Sequence, residues 1–395
     1  MTNTVPPTPP GTGPLTGIRV VEIANTVYGP LTSQYLADMG ADVIKIEPPE
    51  GDLTRSLGPA RHTGMSAVFI NCNRNKRSVM LDLREQADRD VMQRIVAQSD
   101  VLVHSIRTAS TARMGIDYET VAKLNPRLVY CQAKGFSDEG AYGGMPAYDD
   151  LIQALTGIAS LQSDMVGAPR YVPMIFADKV SALHAAFAIM LGLFHRAQTG
   201  LGQQIGVPMF EAMTAFNTVE HLWGATFEPA IAPMGYETIT KAVRTPFATR
   251  DGHIAFLPYT DAHWKRFFDA VGRPELMQDP RFCSYPARQK HFAQVWPVVT
   301  EILATRTTAE WIALFGGGDM PIARVNRLED LPNDPHLNSV GFWQYPQHPT
   351  EGKLRIPRSP FEMSESPPSL RRLPPTLGQH TREVLAEFGI DAAGR

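Results

Sequence analysis

The sequence predicts an α/β protein, a Rossmann-like parallel sheet in a large domain followed by a smaller α+β domain. Three observations predict it. Short β-branched apolar runs alternate with segments of helical period, and strand, helix and strand recur within about thirty residues, which forces a right-handed parallel crossover. Beyond residue 250 the order of elements changes to a mixed pattern. Finally, at 395 residues the chain exceeds what one hydrophobic core normally organises.

Element by element, folding signals begin at Gly17. IRVVEI (18–23) reads as a buried strand, followed by the loop Ala24–Pro30, a helix over 31–40 closed by Gly40, and the strand DVIKIE (42–47). The pattern repeats with SVMLDL (78–83), a helix Glu85–Gln98, DVLVHS (100–105), a helix near Tyr118–Leu124, and LVYCQA (128–133). Helices are expected from Asp149 to Trp223, with Pro208 in the first turn of the last one. FEPAIAPMG (227–235) marks a boundary. Past it come a strand HIAFLPY (253–259), helices Asp261–Val271, Ala287–Thr305 and Thr308–Leu314, and a strand over 322–327. Two strands, 342–346 and 353–357, and a helix Gln379–Phe388 follow. The expected organisation is a disordered tail over 1–14, a large domain over 15–225, a small domain over 226–335, and a segment over 336–395 that returns to the large domain.

Composition bounds the function. Apolar residues make up 43% and charged residues 19%, values of a globular enzyme rather than a disordered chain. A formal charge of −3 offers no global attraction to nucleic acid or to an anionic membrane. The three cysteines Cys72, Cys131 and Cys283 have no CxxC spacing, so neither a zinc site nor a disulfide framework is expected, and a reducing compartment follows. The first residues lack a basic segment followed by an apolar one. A ten-residue apolar run at Ala185–Phe194 is about half a membrane span, so the expectation is a soluble, cytoplasmic protein.

The stretch from Tyr171 to Gly202 is the most informative. An apolar run ends at Asp178, where an Ala-rich segment of helical length begins, apolar on nearly every face and therefore expected to be buried. Asp178 is thus either a helix cap or a carboxylate held among free backbone N–H groups, where an anion or a developing oxyanion is stabilised. The loop after the first strand, Asn25–Pro30, lies where open α/β sheets bind ligands, but it has no G-x-G-x-x-G. No GxxxxGK[ST] or G-x-S-x-G occurs either, which argues against a P-loop nucleotidase and a serine triad. Arg74, Lys76 and Arg77 precede one strand, Arg107 and Arg113 follow another, and Lys134 follows a third. Such strand-flanking cations either contact phosphate or are solvated loop charges. Glu22, Glu47 and Asp82 read as structural carboxylates. His184 and His195 have no carboxylate or thiol at ligand spacing, so no metal is expected.

Several stretches together resemble the class III CoA-transferases, the family that includes formyl-CoA transferase, carnitine CoA-transferase and α-methylacyl-CoA racemase. They are GIRVVEIAN (17–25) with LADMGADVIKIEPP (36–49), NRNKRSVMLDL (73–83), ARMGIDYETVAKLNPRLVYCQAKGF (112–136), AYDDLIQALTG (147–157), VPMIFADKVSAL (172–183), RAQTGLGQ (196–203) and PPTLGQHTREVLAEFGI (374–390). This resemblance implies that Asp178 is the catalytic carboxylate, cycling through an acyl-aspartyl anhydride and an aspartyl-CoA thioester. With an ordinary pKa near 3.9, it is expected to be ionised at neutral pH. Binding of CoA, a substrate rather than a resident cofactor, is implied for Asn25, Thr26, Val27, Tyr28, Arg74, Lys76 and Arg113. Partners implied are a small-molecule acyl-CoA, a carboxylic acid, and a second copy of the chain in an interlocked, ring-like homodimer. The racemase branch carries a His at the position of Tyr148, and a phenol is a poor acid/base near neutrality, so Tyr148 is expected to contact substrate instead. Alternatives are an acyl-CoA racemase or isomerase of the same fold, and a non-catalytic acyl-CoA-binding protein. The sequence departs from the family at Val103-His104-Ser105, where Val-Glu-Asn is frequent, and shows no glycine-rich lid near 235–260.

Overall fold

The computed structural model describes residues 13–240 and 245–390. Except for its final two residues, the expected tail over 1–14 lies outside the described residues. The protein forms two compact units, the first comprising residues up to Ser160, Arg170–Val219 and Asn338 onwards, the second Leu161–Pro169 and Glu220–Leu337.

A sheet of six parallel strands organises the first unit. Its strands are β1 (Arg19–Ile23), β2 (Asp42–Glu47), β3 (Lys76–Met80), β4 (Val101–His104), β5 (Val129–Lys134) and β6 (Gln203–Pro208), in the order β3-β2-β1-β4-β5-β6. Alternation along each strand feeds two cores, as the period of two requires. Val20, Val43, Val101, Val103 and Val129 face the helices α1 (Tyr28–Asp38) and Phe176–Thr199. Val21, Ile44, Ile46, Leu102 and Tyr130 face the helices Gln86–Ala97, Tyr118–Leu124 and Thr381–Glu387 on the other side. The chain runs outward from β1 through β2 to β3 and then returns to place β4 beside β1, with Val21 in register with both Ile44 and Leu102. The loops leaving β1 and β4 therefore diverge, opening a crevice at this reversal.

Three differences from the sequence-based expectation have physical causes. The strand β6 is not expected, because an edge strand exposed on one side, QQIGVP, carries no continuous apolar run; Pro208 ends it rather than opening the next helix, which starts at Met209. The strand expected over 78–83 begins earlier, at Lys76, and this places two cations inside the sheet. The helix Phe176–Thr199 is not buried all round. Its small residues Ala177, Ala182, Ala185 and Gly192 lie against α1 and the sheet, so closely that a Cβ on Gly192 would stand 2.8 Å from Val129 Cγ1. The opposite stripe, Leu183, Phe187, Met190, Leu191 and Phe194, is exposed. This is the one helix among the described residues long and apolar enough to cross a membrane by length and composition, with mean hydropathy 1.4 and half of the apolar window buried inside the protein.

The second unit has a three-stranded antiparallel sheet of β7 (Phe247–Ala248), β8 (His253–Phe256) and β9 (Ile322–Arg324). Helices Asp261–Ala270, Phe292–Leu303 and Thr308–Phe315 cover it around an aromatic core of Trp264, Phe267, Phe268, Phe282, Trp311 and Phe315. The helix expected over 287–305 is interrupted at His291. The unit also takes Leu161–Pro169, which lies within the stretch expected for the large domain. The chain then returns to the first unit through two short ribbons, Trp343–Gln344 with Ile356–Pro357 and Gln347–His348 with Gly352–Lys353. The helix Thr381–Glu387 is held to β3 by Arg77, which donates to Glu383 at 3.0 Å and to Glu387 Oε2 at 3.1 Å.

Candidate active site

A cavity of about 520 Å³ opens in the first unit at the carboxyl ends of β1, β4 and β5. Its walls are the loop Asn25–Tyr28, the β4 loop Ser105–Thr108, the end of β5 with Gly135 and Phe136, the stretch 144–150, and Leu53, Thr54 and Leu57. Asp178 lines it as well. The structure thus brings together Asp178, all four residues of Asn25–Tyr28, and Tyr148, whose ring is exposed along the wall.

Asp178 is the third residue of the helix Phe176–Thr199, and Ile175 at the cap position makes no side-chain bond. The capping carboxylate comes instead from Asp149, whose Oδ1 accepts the backbone N–H of Asp178 at 3.1 Å. Gln153 fixes that carboxylate by donating to its Oδ2 at 2.6 Å, while its own Oε1 accepts the N–H of Val172 at 2.9 Å. Asp178 is only 9% exposed, and the N–H of Tyr28, the first residue of α1, favours its charged form. It therefore sits at the amino ends of two helices. Even so, burial, reinforced by the charge of Asp149, pushes its pKa up to about 7, with the Tyr28 N–H pulling the other way. This corrects the expectation of a fully ionised carboxylate: desolvation outweighs the two helix termini, and near pH 7 about half of the molecules carry the charge.

The β1 loop contributes backbone more than side chains. The hydroxyl of Tyr28 is buried and donates to Val207 O at 2.6 Å. Thr26 has φ +67°, the left-handed region rare for a β-branched residue, and its N–H donates to Asp52 Oδ1 at 3.2 Å. Across the crevice, Ser105 Oγ accepts the N–H of Asn25 at 3.3 Å. In the departure noted at 103–105, His104 is wholly buried, 2.6 Å from Tyr130 Oη, and its Nδ1 accepts the N–H of Ile106 at 3.2 Å. Burial drives its pKa down to about 3, so it is a neutral structural strut for the β4 loop.

The expected cations divide. Arg74 is buried against Asp38, with contacts of 2.9 and 2.6 Å, and donates to Pro357 O at 3.0 Å. Lys76 has no exposed surface; its Nζ reaches Glu22 Oε2 at 2.7 Å, Pro30 O at 2.7 Å and Asn73 Oδ1 at 2.8 Å. Neither lines the cavity. Because β3 starts at Lys76, positions that read as loop charges lie within the sheet layers, where buried charges need carboxylate partners. Arg113 is exposed, near Ser110 and away from the cavity wall. Arg107 and Lys134 do line the wall, Lys134 paired with Asp138 at 2.8 Å. Among the described residues no group of His, Cys, Asp and Glu is placed to hold a metal ion. Two residues the sequence did not single out matter here: Asp149, whose signal is a pair of acids opening a helix, and Asp52, the cap of the turn Leu53–Ser56.

Comparison with known proteins converges. The family model described as CoA-transferase family III matches residues 15–381. The chain is 30% identical to the succinate–glutarate CoA-transferase of Agrobacterium fabrum over 95% of this chain and 96% of that one. It is also 30% identical to the succinyl-CoA:mesaconate CoA-transferase of Haloarcula marismortui, covering 96% and 97% of the two chains. A crystal structure of a CAIB/BAIF family protein from Brucella suis superposes with a TM-score of 0.82 at 30% identity, over 95% of this chain and 99% of that one.

Proposed function

The chain belongs to CoA-transferase family III, and from that premise we propose that it moves CoA from an acyl-CoA thioester to a free carboxylic acid through covalent intermediates on Asp178. It is an enzyme of the CoA-transferase type. The observation that carries the mechanism is a nearly buried carboxylate at the amino end of a long helix, lining a 520 Å³ cavity at the crevice of the sheet. In its ionised form an Asp178 oxygen attacks the thioester carbonyl; the C–S bond breaks, CoA leaves as thiolate, and a mixed anhydride forms. The thiolate then attacks the aspartyl carbonyl, the donor acid departs as carboxylate, and Asp178 holds CoA as a thioester. An incoming carboxylate reverses both steps on itself, and no net proton is needed. The Tyr28 N–H suits the Asp178 oxygen that gains charge when the aspartyl carbonyl is attacked. An acyl-CoA filling the cavity would displace the water that otherwise hydrolyses the anhydride.

Arg107 and Lys134 at the wall suit the phosphates of CoA, and Tyr148 suits the acyl group. Relatives named for succinyl-CoA with glutarate or mesaconate make dicarboxylic acids the first acceptors to assay. We further propose the interlocked homodimer that the family resemblance implies: the exposed stripe Leu183, Phe187, Met190, Leu191 and Phe194 supports it, since an apolar face on a half-buried helix calls for a cover. A reducing cytoplasm suits the three free thiols.

The test is a panel of acyl-CoAs against dicarboxylic and branched acids, read by mass spectrometry. Hydroxylamine should inactivate the working enzyme by capturing the thioester at Asp178, and Asp178→Ala should abolish transfer while retaining CoA affinity. Full turnover by Asp178→Ala would refute the mechanism.

A further inference from the structure

Below the cavity floor lies a buried ionic network that the transfer chemistry itself does not use. Glu22 on β1 is in register with Lys45 on β2, and both are wholly buried. Lys45 Nζ donates to Glu22 Oε1 at 2.6 Å, to Asp52 Oδ2 at 2.8 Å and to the carbonyl of Ala24 at 2.8 Å, so all three ammonium protons are used. Lys76 takes the other oxygen of Glu22 and reaches the carbonyl of Pro30. Two ammonium groups bridged by one carboxylate thus grip the segment Ala24–Pro30 at both ends. Asp52 takes hold in the middle, accepting the N–H of Thr26 at its left-handed φ. The turn is tight as well: a Cβ on Gly29 would lie 2.4 Å from that of Ala24. Between these three anchors sits the Tyr28 N–H, at the amino end of α1 in the wall of the cavity that Asp178 also lines.

Such a network is poorly explained by stability alone. Desolvating buried ion pairs costs about as much as the pairing returns, and apolar residues of similar volume often do as well or better. A non-glycine residue at positive φ adds roughly 1–3 kcal/mol of strain. Both features make sense if the loop conformation is what is being secured.

We propose that Lys45, Lys76, Glu22 and Asp52 are positioning residues for the transfer reaction, clamping Ala24–Pro30 at three points so that the Tyr28 N–H stays aimed at the Asp178 carboxylate and at the oxyanions formed on it. The inference rests on the role proposed above for Asp178. Its test is the double variant Lys45→Met/Asp52→Asn, which removes one charge of each sign and keeps the Glu22–Lys76 pair and an oxygen to cap Thr54. Removing an oxyanion donor outright costs about 10²–10³ in rate, and misaiming it costs less. The full-length variant should therefore lose about tenfold or more in kcat and in the single-turnover rate of Asp178 adduct formation. KM for acyl-CoA should stay within about twofold, and the fraction of chains that eventually form adduct should be unchanged. An adduct formed at the wild-type rate overturns the clamp, as does a kcat loss matched by the same loss of adduct-competent chains, which is merely misfolding. If the double variant does not fold, Asp52→Ala, which removes the acceptor of the Thr26 N–H and leaves Lys45 on Glu22 and Ala24, carries the same comparison. Absence of any adduct in the wild-type enzyme would instead overturn the nucleophilic role of Asp178 itself.

Discussion

Folding this chain buries a carboxylate that resists losing its proton, and Asp178→Asn should make the resulting cost measurable. The pKa of Asp178 rises from an ordinary 3.8 to about 7 in the folded protein, chiefly through burial. Between these values the unfolded chain has released a proton that the folded chain retains, so stability falls as pH rises through the window and levels off above it. With 1.36 kcal/mol for each unit, the penalty is on the order of 4 kcal/mol at pH 8 and about 2 kcal/mol at pH 5. Asparagine keeps the shape and an oxygen for the Tyr28 N–H but has no charge to desolvate. The variant should be inactive yet melt higher than the wild type by calorimetry, with a gap that is clearly wider at pH 8 than at pH 5. A gap of equal size at both pH values, or a variant less stable at pH 8, would refute the account of Asp178 as a carboxylate ionised against its environment.

Three further outcomes follow from the same geometry. In the wild-type enzyme, kcat/KM should fall about tenfold per pH unit below pH 7 as Asp178 protonates; a profile flat down to pH 5 would contradict this. Asp149→Ala removes both the cap of the long helix and the neighbouring charge, so it should cost about 1 kcal/mol in stability while moving that acid limb to lower pH, read from melts and pH–rate profiles on one preparation. Arg74→Met leaves Asp38 buried without a cation, held only by Asn75, and should destabilise by about 3–5 kcal/mol with KM for acyl-CoA intact, whereas Arg107→Met should raise that KM several-fold with no change in melting; steady-state kinetics and melts on the two variants separate the roles.

Much of the large unit was legible because its strands are buried on both faces and written as apolar runs, as in VVEI, DVIKIE and DVLVH, while β6 was not, since an edge strand such as QQIGVP has no such signature. Asp178 could be picked out by the abrupt change of pattern at the start of a long helix. Its protonation could not, because desolvation and the charge of Asp149 come from packing between residues 29 positions apart. The burial of Arg74 against Asp38 and of Lys76 against Glu22 was not legible for a related reason: a cation at a strand boundary looks the same in sequence whether it faces solvent or a buried carboxylate. Only the start of β3 at Lys76 decides it. Thr26 had no signal at all, since nothing in a threonine announces a positive φ.

The way the C-terminal segment closes on β3 governs the order in which the molecule can be assembled. Ser78 gives its carbonyl to the N–H of His380, and Asn75 takes the N–H groups of Arg371 and Arg372 at 2.6 and 2.9 Å, partners some three hundred positions later. A chain that has passed Leu337 holds every strand of the large sheet but not the helix Thr381–Glu387, which completes the cover over Val79 and Leu81 begun by the helices Gln86–Ala97 and Tyr118–Leu124. The crevice that cradles Asp178 is lined by residues no later than Met209 and does not wait for this closure, whereas a stop after residue 337 forfeits the cover of the opposite face of the sheet rather than a dispensable tail.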